Sequence, residues 1–284
     1  MVQDSNALQI AVILAAHNRK EKTLACLTSL RLAMTGTDTT WHVYLCDDGS
    51  SDGTTAAVGH LLGDAVTIVP GDGALFWNQG MRAAWTTALP HGPARYLLLN
   101  DDVVLAADSI KRLLSLLVEQ HVAILIGATR DPVTDRCSYG GFRRGPWWNR
   151  LKMVPVGPVD QPTLVDSFNC NVVLIPHAVV ARIGILDPGF VHAFGDIDYG
   201  LRARQQQVAM LLLPGYAGEC AANPPPSPPS SSLWRRLAEE MSIKGMHSGP
   251  WLLLCRRHAG ALWPLVYLSP YLKMLFRSRS AAWR

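Results

Sequence analysis

The sequence lacks any pair of cysteines at C-x-x-C spacing, although it contains six cysteines in 284 residues. Scattered cysteines without paired spacing are not typical of a zinc site or of a disulfide framework. We therefore expect six reduced thiols and a cytoplasmic protein.

Long apolar runs are also absent, even though 49% of the residues are hydrophobic. No segment approaches the roughly 20 uninterrupted apolar residues that a membrane-spanning helix needs. Residues 1–9 are polar, and the apolar run at residues 10–16 is too short for the core of a signal peptide. No G-x-G-x-x-G follows this run, which argues against a dinucleotide-binding domain.

Charged residues make up only 17% of the chain and are unevenly distributed. Residues 235–284 contain nine Lys+Arg and two Asp+Glu, whereas residues 1–234 contain 17 basic and 20 acidic residues. The acidic body, which carries no recognition motif, argues against nucleic acid as a ligand. The basic C-terminal segment indicates contact with an anionic partner.

Apolar runs and helical periodicity alternate along most of the chain. Strands are predicted at residues 9–16, 41–46, 65–69, 96–99, 122–127, 166–175 and 208–213. Helices are predicted at residues 20–32, 78–88, 108–120, 177–183, 195–207 and 233–241, and a hairpin with long loops at 131–162. This alternation is typical of an α/β fold with a mainly parallel, doubly wound, Rossmann-like sheet.

The composition divides the chain into three parts. We expect a catalytic domain at residues 1–222 and a Pro/Ser-rich linker at 223–232. A basic, aromatic and helical C-terminal extension follows at 233–284. Its aromatic and basic residues from 251 to 284 suit a membrane surface. The alternative is a helical appendage that packs on the catalytic domain or on a second subunit.

Polar and acidic side chains follow the predicted strands. Asn100, Asp101 and Asp102 come directly after the strand at 96–99, and Asp47 and Asp48 end the strand at 41–46. Open α/β sheets bind ligands at the carboxyl ends of their strands. Carboxylate oxygens on a short turn suit Mg²⁺ or Mn²⁺, especially when a substrate diphosphate supplies further ligands. The alternative is a set of turns that cap the following helices.

Four motifs, taken in order, resemble the inverting nucleotide-sugar glycosyltransferases of family 2, which adopt the GT-A fold. The resemblance covers roughly residues 10–213. The segments that carry it are Ala-Ala-His-Asn-Arg at 15–19, Asp-Asp-Gly-Ser-Ser-Asp-Gly-Thr at 47–54, Asn-Asp-Asp at 100–102 and Phe-Gly-Asp-Ile-Asp-Tyr-Gly-Leu-Arg at 194–202. Residues 75–82 also resemble the Trp-x-x-Gly-Met segment of bacterial rhamnosyltransferase-like members.

The resemblance implies a role for each motif. Asp48 or Asp47 would bind the nucleotide base, and Asp102 would bind Mn²⁺ or Mg²⁺ at the donor diphosphate. Asp196 would be the general base. The remaining candidates for substrate contact are His17, Asn18, Arg19, Trp77, Gly80, Asn100, Asp101 and Asn171. For several of these a purely structural role is the alternative: Trp77 could be core, His17 could belong to a turn, and Asn171 could satisfy a buried turn.

The chain departs from the family pattern at two positions. Asn100 replaces the first acid of the Asp-x-Asp motif, and Gly195 replaces the glutamate before Asp196. Asp198 is therefore a second candidate for the base. Many GT-A enzymes add a C-terminal histidine to the metal site. This sequence has Gly218-Glu219-Cys220 in the corresponding region and His247 after the linker, and it does not assign that ligand.

The predicted activity is transfer of a sugar from dTDP-rhamnose or a UDP-hexose to a hydroxyl of a glycan or lipid-linked glycan, in bacterial surface-polysaccharide assembly. The protein would be cytoplasmic or peripheral on the cytoplasmic membrane, with a homodimer left open. One alternative is a sugar nucleotidyltransferase, although His17 to Lys20 lacks the glycine-rich loop of that class. The other is a non-catalytic, membrane-associated protein that binds nucleotide sugars without turnover.

Overall fold

The structure, a computed structural model, describes residues 9–119, 122–223 and 248–276. The strands within these ranges are β1 (Ile10–Ala16), β2 (Trp41–Asp47), β3 (Val66–Pro70), β4 (Arg95–Leu99), β5 (Val104–Leu105), β6 (Ile124–Arg130), β7 (Cys137–Tyr139), β8 (Gly141–Arg144), β9 (Met153–Val156), β10 (Thr163–Leu164), β11 (Ser167–Phe168), β12 (Val172–Pro176) and β13 (Met210–Glu219). The α-helices are α1 (Lys20–Met34), α2 (Thr54–Leu62), α3 (Phe76–Ala88), α4 (Ser109–Glu119), α5 (His177–Ile183), α6 (Gly195–Gln205), α7 (Ser248–His258) and α8 (Trp263–Phe276).

Strands β3, β2, β1 and β4 lie side by side and run parallel. Alternate residues of β1 enter different apolar clusters: Val12 and Leu14 lie in one, and Ala11 and Ile13 lie in the other. Successive side chains of a strand point to opposite faces, so an apolar run without alternation forms a strand that is covered on both sides. The predicted α/β class is thereby confirmed.

The other half of the large sheet is mixed. Strand β12 runs antiparallel between β4 and β6, and β13 runs parallel to β6. The single strand predicted at residues 166–175 is wrong. That segment forms β11 in a small sheet with β8 and β9, and β12 in the large sheet. The turn between them is held by Asn169, whose N–H donates to the carbonyl of Gly140, and by Asn171, whose carbonyl accepts the N–H of Asn100.

Several predicted boundaries differ from the structure. Helix α3 begins two residues earlier than predicted, and β13 continues to Glu219 rather than ending at residue 213. The predicted hairpin corresponds to the antiparallel pair β8 and β9. The helix predicted at 233–241 lies outside the described residues, as does the predicted linker apart from residue 223.

Helices α7 and α8 pack on the loop that precedes α6. Trp251, Leu254 and Cys255 of α7 form a buried cluster with Phe190, and Trp263 of α8 packs against that cluster. The described part of the C-terminal segment therefore shares an apolar core with the body of the protein. Within the described residues, the helices are too short or too polar to cross a bilayer.

Candidate active site

A cavity of about 790 Å³ opens where β1, β2 and β4 end and α6 begins. Nine of the predicted site residues line it: His17, Arg19, Asp48, Trp77, Asn100, Asp101, Asp102, Asn171 and Asp196. The other predicted site residues, Asn18, Asp47, Gly80 and Asp198, lie outside its lining. The strand ends therefore converge on one crevice, as expected for an open α/β sheet.

Arg19 holds the two adjacent carboxylates of the strand-end turn after β4. Its Nη1 lies 2.8 Å from Oδ1 of Asp101, and its Nη2 lies 2.5 Å from Oδ2 of Asp102. Burial raises the pKa of Asp101 to about 6, although the positive charge of Arg19 opposes this shift. Arg19 thus neutralises a pair of carboxylates that would otherwise repel each other.

The acidic turn fits a divalent cation that also binds substrate. The side chain of Asp102 is 20% exposed and that of Asp101 only 6%, so Asp102 is the more accessible ligand. Among the described residues, no three His, Cys, Asp or Glu side chains are grouped so as to hold a metal ion alone. One or two carboxylates completed by substrate phosphates and water are a usual environment for Mg²⁺.

Cys220 belongs to the segment Gly218 to Cys220, which by the family resemblance corresponds to the region of the C-terminal metal ligand. Its Sγ lies 3.5 Å from Oδ1 of Asp102 and 3.6 Å from Nδ2 of Asn171. Burial and the charge of Asp102 raise the pKa of the Cys220 thiol to about 12. The cysteine therefore presents a neutral thiol to Asp102. The other candidate for this ligand, His247, lies outside the described residues.

The two aspartates that end β2 have different environments. Asp47 accepts hydrogen bonds from the backbone N–H of Ser50, at 3.0 Å, and from the hydroxyl of Thr55, so its carboxylate serves the turn. Asp48 lines the cavity, and its oxygens accept backbone N–H groups of Gly73 and Phe76, both at 2.9 Å. Of the two predicted base-binding residues, only Asp48 thus reaches the cavity.

His17 and Asn18 connect the end of β1 to the turn after β2. The Nδ1 of His17 lies 2.5 Å from the backbone oxygen of Asp48. Asn18 has a φ of 50° and accepts the N–H of Ser51 at 2.8 Å. Asparagine tolerates this left-handed conformation better than most residues, so Asn18 shapes the turn, while His17 lines the cavity.

Trp77 is fixed in the cavity wall because its Nε1 donates a 2.8 Å hydrogen bond to Oδ1 of Asn100. Gly80 has a packing role. A Cβ at Gly80 would lie 3.0 Å from the Cβ of Ala15, so the glycine lets α3 approach β1 closely. In the Trp-x-x-Gly-Met segment, Trp77 therefore lines the cavity, and Gly80 allows α3 to pack closely against β1.

The two carboxylates in the first turn of α6 are not equivalent. Asp196 lines the cavity and accepts the N–H of Ile197 at 2.8 Å, while Nδ2 of Asn169 lies 3.4 Å from its other oxygen. Burial raises the pKa of Asp196 above its ordinary value of 3.8. A partly desolvated carboxylate with a raised pKa has the properties of a general base.

Asp198 is completely buried and fully paired. His258 and Arg257 approach Oδ1 at 2.9 and 3.2 Å, and Arg202 approaches Oδ2 at 2.8 Å. Burial alone would raise the pKa of Asp198, but the hydrogen bonds from His258 and Arg202 outweigh burial and lower it. With both oxygens engaged and no contact with the cavity, Asp198 connects α6 to α7.

Several cavity residues were not predicted as site residues. They are Tyr139 of β7, Phe142, Leu151 and Met153 in or beside the small sheet, His192 and Phe194 before α6, and Trp251 and Leu254 of α7. The sequence contains one signal for α7: residues 251, 254, 255 and 258 lie at helical spacing and form one buried face. That pattern indicates a helix packed on the body, although it does not show that the face borders the cavity.

Three solved structures superimpose on this fold over most of the chain. TarS 1-349 from S. aureus superimposes with a TM-score of 0.58 at 15% identity, covering 92% of this chain and 72% of that chain. A mannosyltransferase from Pyrobaculum calidifontis, in complex with GDP-Man and Mn²⁺, gives 0.56 at 14% identity, covering 97% and 76%. GalNAc-T7 with UDP, GalNAc and Mn²⁺ gives 0.57 at 16% identity, covering 95% of this chain and 56% of that one.

These identities are low enough that the likeness establishes the fold alone, and it confirms the expected GT-A architecture. A search of curated proteins found no match. The profile of Glycosyl transferase family 2 matches residues 11–174, which is more than half of the chain. The protein therefore belongs to glycosyl transferase family 2.

Proposed function

We propose that the protein is a metal-dependent inverting glycosyltransferase that uses a nucleoside-diphosphate sugar. The observation that carries the proposal is that Asp196 lines the same cavity as the acidic turn of Asp101 and Asp102. A base for the acceptor and a cation site for the donor diphosphate are both needed near the anomeric carbon. The volume of about 790 Å³ is in the usual range for a small-molecule site.

Each of these residues has a specific task in the proposed reaction. Asp196 takes the proton of the acceptor hydroxyl as its oxygen bonds to the anomeric carbon. The bond between that carbon and the phosphate oxygen breaks, and its electron pair leaves with the nucleoside diphosphate. Asp102 would hold Mn²⁺ or Mg²⁺, which stabilises negative charge on the leaving diphosphate. Attack from the face opposite the leaving group inverts the anomeric centre.

Asp48, Trp77 and Asn171 complete the donor side in this proposal. Asp48 is the cavity carboxylate that could accept an imide N–H of uracil or thymine. The Trp77 segment favours dTDP-rhamnose, with a UDP-hexose as the other candidate donor. The acceptor is a hydroxyl of a glycan or lipid-linked glycan in bacterial surface-polysaccharide assembly. The mannosyltransferase and GalNAc-T7 structures, which contain nucleotides and Mn²⁺, support a nucleotide-sugar donor and a divalent cation.

The test is calorimetric titration of UDP and of dTDP into the protein, with and without Mn²⁺. We expect one nucleotide to bind in a Mn²⁺-dependent manner, and Asp102→Ala to abolish that binding. Asp64→Ala, at an exposed position away from the cavity, is the control and should bind like the wild type. Failure of both nucleotides to bind under either condition contradicts the proposal. NMR of the product's anomeric signal then tests inversion.

A further inference from the structure

Helix α8 is apolar on two opposite faces. Val266, Tyr267 and Tyr271 pack against the buried cluster around Trp251. On its other side Leu265, Leu268 and Leu272 are 66%, 47% and 49% exposed, and their spacing of three and four residues places them in one stripe. A surface helix ordinarily has polar residues on its outer face. The leucine stripe is therefore typical of a surface that contacts another protein or a membrane.

A pair of exposed tryptophans lies on the neighbouring loop. Trp147 and Trp148 are 69% and 58% exposed, and their rings meet edge to face at 5.8 Å. The loop adjoins the connection between α7 and α8. Nη2 of Arg144, at the end of β8, donates to the carbonyl of His258 at 2.8 Å, and a Cβ at Gly260 would lie 3.4 Å from Nη1 of Arg150. We call the five exposed side chains Trp147, Trp148, Leu265, Leu268 and Leu272 the Trp–Leu surface.

The segments that carry this surface have charge of one sign. Residues 143–152 and 248–276 contain no Asp or Glu. Their basic residues are Arg143, Arg144, Arg150, Lys152, Arg256 and Lys273, together with Arg257, which is already paired with Asp187 and Asp198. A second copy of the chain would bring like charges together at this surface, whereas an anionic bilayer offers the opposite charge and an apolar interior.

The same segments also form part of the cavity wall. Leu151, which follows the tryptophan pair, lines the cavity together with Trp251 and Leu254 of α7. We propose that the Trp–Leu surface docks the protein on an anionic phospholipid bilayer, with the tryptophans and leucines at the interface and the basic residues at the headgroups. Docking would bring the cavity close to a lipid-anchored acceptor. That consequence rests on the proposed function, whereas binding to the bilayer does not.

The experiment is co-sedimentation of the full chain with vesicles of phosphatidylcholine, alone or mixed with phosphatidylglycerol, at low and high salt. We expect binding to the mixed vesicles that weakens at high salt. The triple variant Leu265→Ser/Leu268→Ser/Leu272→Ser should bind at least about tenfold more weakly, because three apolar side chains no longer insert. Trp147→Ser/Trp148→Ser should also weaken binding. Leu32→Ser/Val133→Ser, which changes side chains 59% and 88% exposed elsewhere, should bind like the wild type.

A second measurement does not depend on the triple variant. Lipids brominated along the acyl chain should quench tryptophan fluorescence of the wild type, and the Trp147/Trp148 double variant should lose that part of the quenching. Absence of wild-type binding to mixed vesicles, or an equal loss in the Leu32/Val133 control, overturns the proposal. A wild-type dimer that the leucine changes dissociate, without vesicle binding, would assign the surface to a second copy instead. Titration of UDP and dTDP into the same samples tests the proposed function separately.

Discussion

The Nε2 of His258 lies 2.9 Å from Oδ1 of Asp198, and both side chains are buried. These residues lie 60 positions apart, one in the helix that begins with the proposed base and the other at the end of α7. Arg257 extends the connection, since its Nη1 lies 2.9 Å from Asp187 and 3.2 Å from Asp198. The contact thereby fixes α7, which lines the cavity, to α6, which carries the proposed base Asp196.

Asp198→Asn should destabilise the protein, because it removes the negative charge that faces Arg202, Arg257 and His258. We expect a loss of about 3 kcal/mol in the free energy of unfolding, as is typical when one partner of a buried ion pair is removed. Urea denaturation at neutral pH measures this loss. Asp64→Asn, at an exposed position, should change the free energy little. Equal stability of Asp198→Asn and the wild type would show that the buried contacts contribute nothing net.

The same contact predicts how stability depends on pH. Because the folded protein holds the pKa of Asp198 below its ordinary value of 3.8, the carboxylate stabilises the fold above that pH. The stabilisation is lost as the pH falls through the lower, folded-state pKa. The difference in unfolding free energy between wild type and Asp198→Asn should therefore shrink in acid. A difference that is constant from neutral pH into acid would contradict this linkage.

Gly195→Ala should destabilise the protein, in contrast to the usual effect of this change in a helix. A Cβ at Gly195 would lie 1.9 Å from Oδ1 of Asn78, and Nδ2 of Asn78 is held by the carbonyls of Phe190 and Asp187. We expect a loss of about 2 kcal/mol in thermal or urea unfolding, the cost of overpacking a rigid site. The same crowding means that a glutamate at this position, as in the family pattern, would require Asn78 to move.

Gly59→Ala on α2 is the matched control. A Cβ at Gly59 would meet nothing within 4 Å, so alanine should stabilise the helix by roughly 0.5–1 kcal/mol. Opposite signs for the two glycines support the argument from packing. A stabilising Gly195→Ala would mean that Asn78 moves aside at little cost.

Local sequence patterns were sufficient to predict the parallel half of the sheet and the position of the cavity. The apolar run of β1, without alternation, indicates a strand covered on both faces, and the polar residues after β2 and β4 indicate the end of the sheet at which the cavity lies. Both depend on residues that are adjacent in the chain. The sequence therefore predicted Asp48, Asp101 and Asp102 at one crevice, where the structure places them.

Other features depend on contacts between distant segments and could not be read from local patterns. Asp196 and Asp198 are two residues apart and chemically alike, and only packing against His258 and Arg257 distinguishes them. In the same way, the aromatic segment that contains Trp251 gave no sign that it lines the cavity. The turn that separates β11 from β12 depends on backbone pairing with distant strands, which an apolar run alone does not show.

Arg19→Gln and Asp102→Ala should change Mn²⁺ binding in opposite directions. Asp102→Ala removes the proposed ligand and should abolish Mn²⁺ binding. Arg19 donates to both carboxylates of the turn, so it competes with a cation for the same oxygens. Arg19→Gln should therefore strengthen binding of Mn²⁺ several-fold in the absence of nucleotide. Electron paramagnetic resonance of free Mn²⁺ measures both effects. Weaker binding in Arg19→Gln would show that the arginine organises the site rather than competing for it.

Asp196→Asn should abolish most sugar transfer while leaving nucleotide binding unchanged. Loss of a general base typically lowers the rate by about 10²–10⁴-fold, and the amide keeps the shape of the side chain. In the wild type the base acts only when it is deprotonated, and burial raises the pKa of Asp196. The rate should therefore fall with decreasing pH around a pKa above 3.8, the ordinary value for aspartate. An Asp196→Asn protein with wild-type transfer, or an acid limb at or below that value, would assign the base to another group.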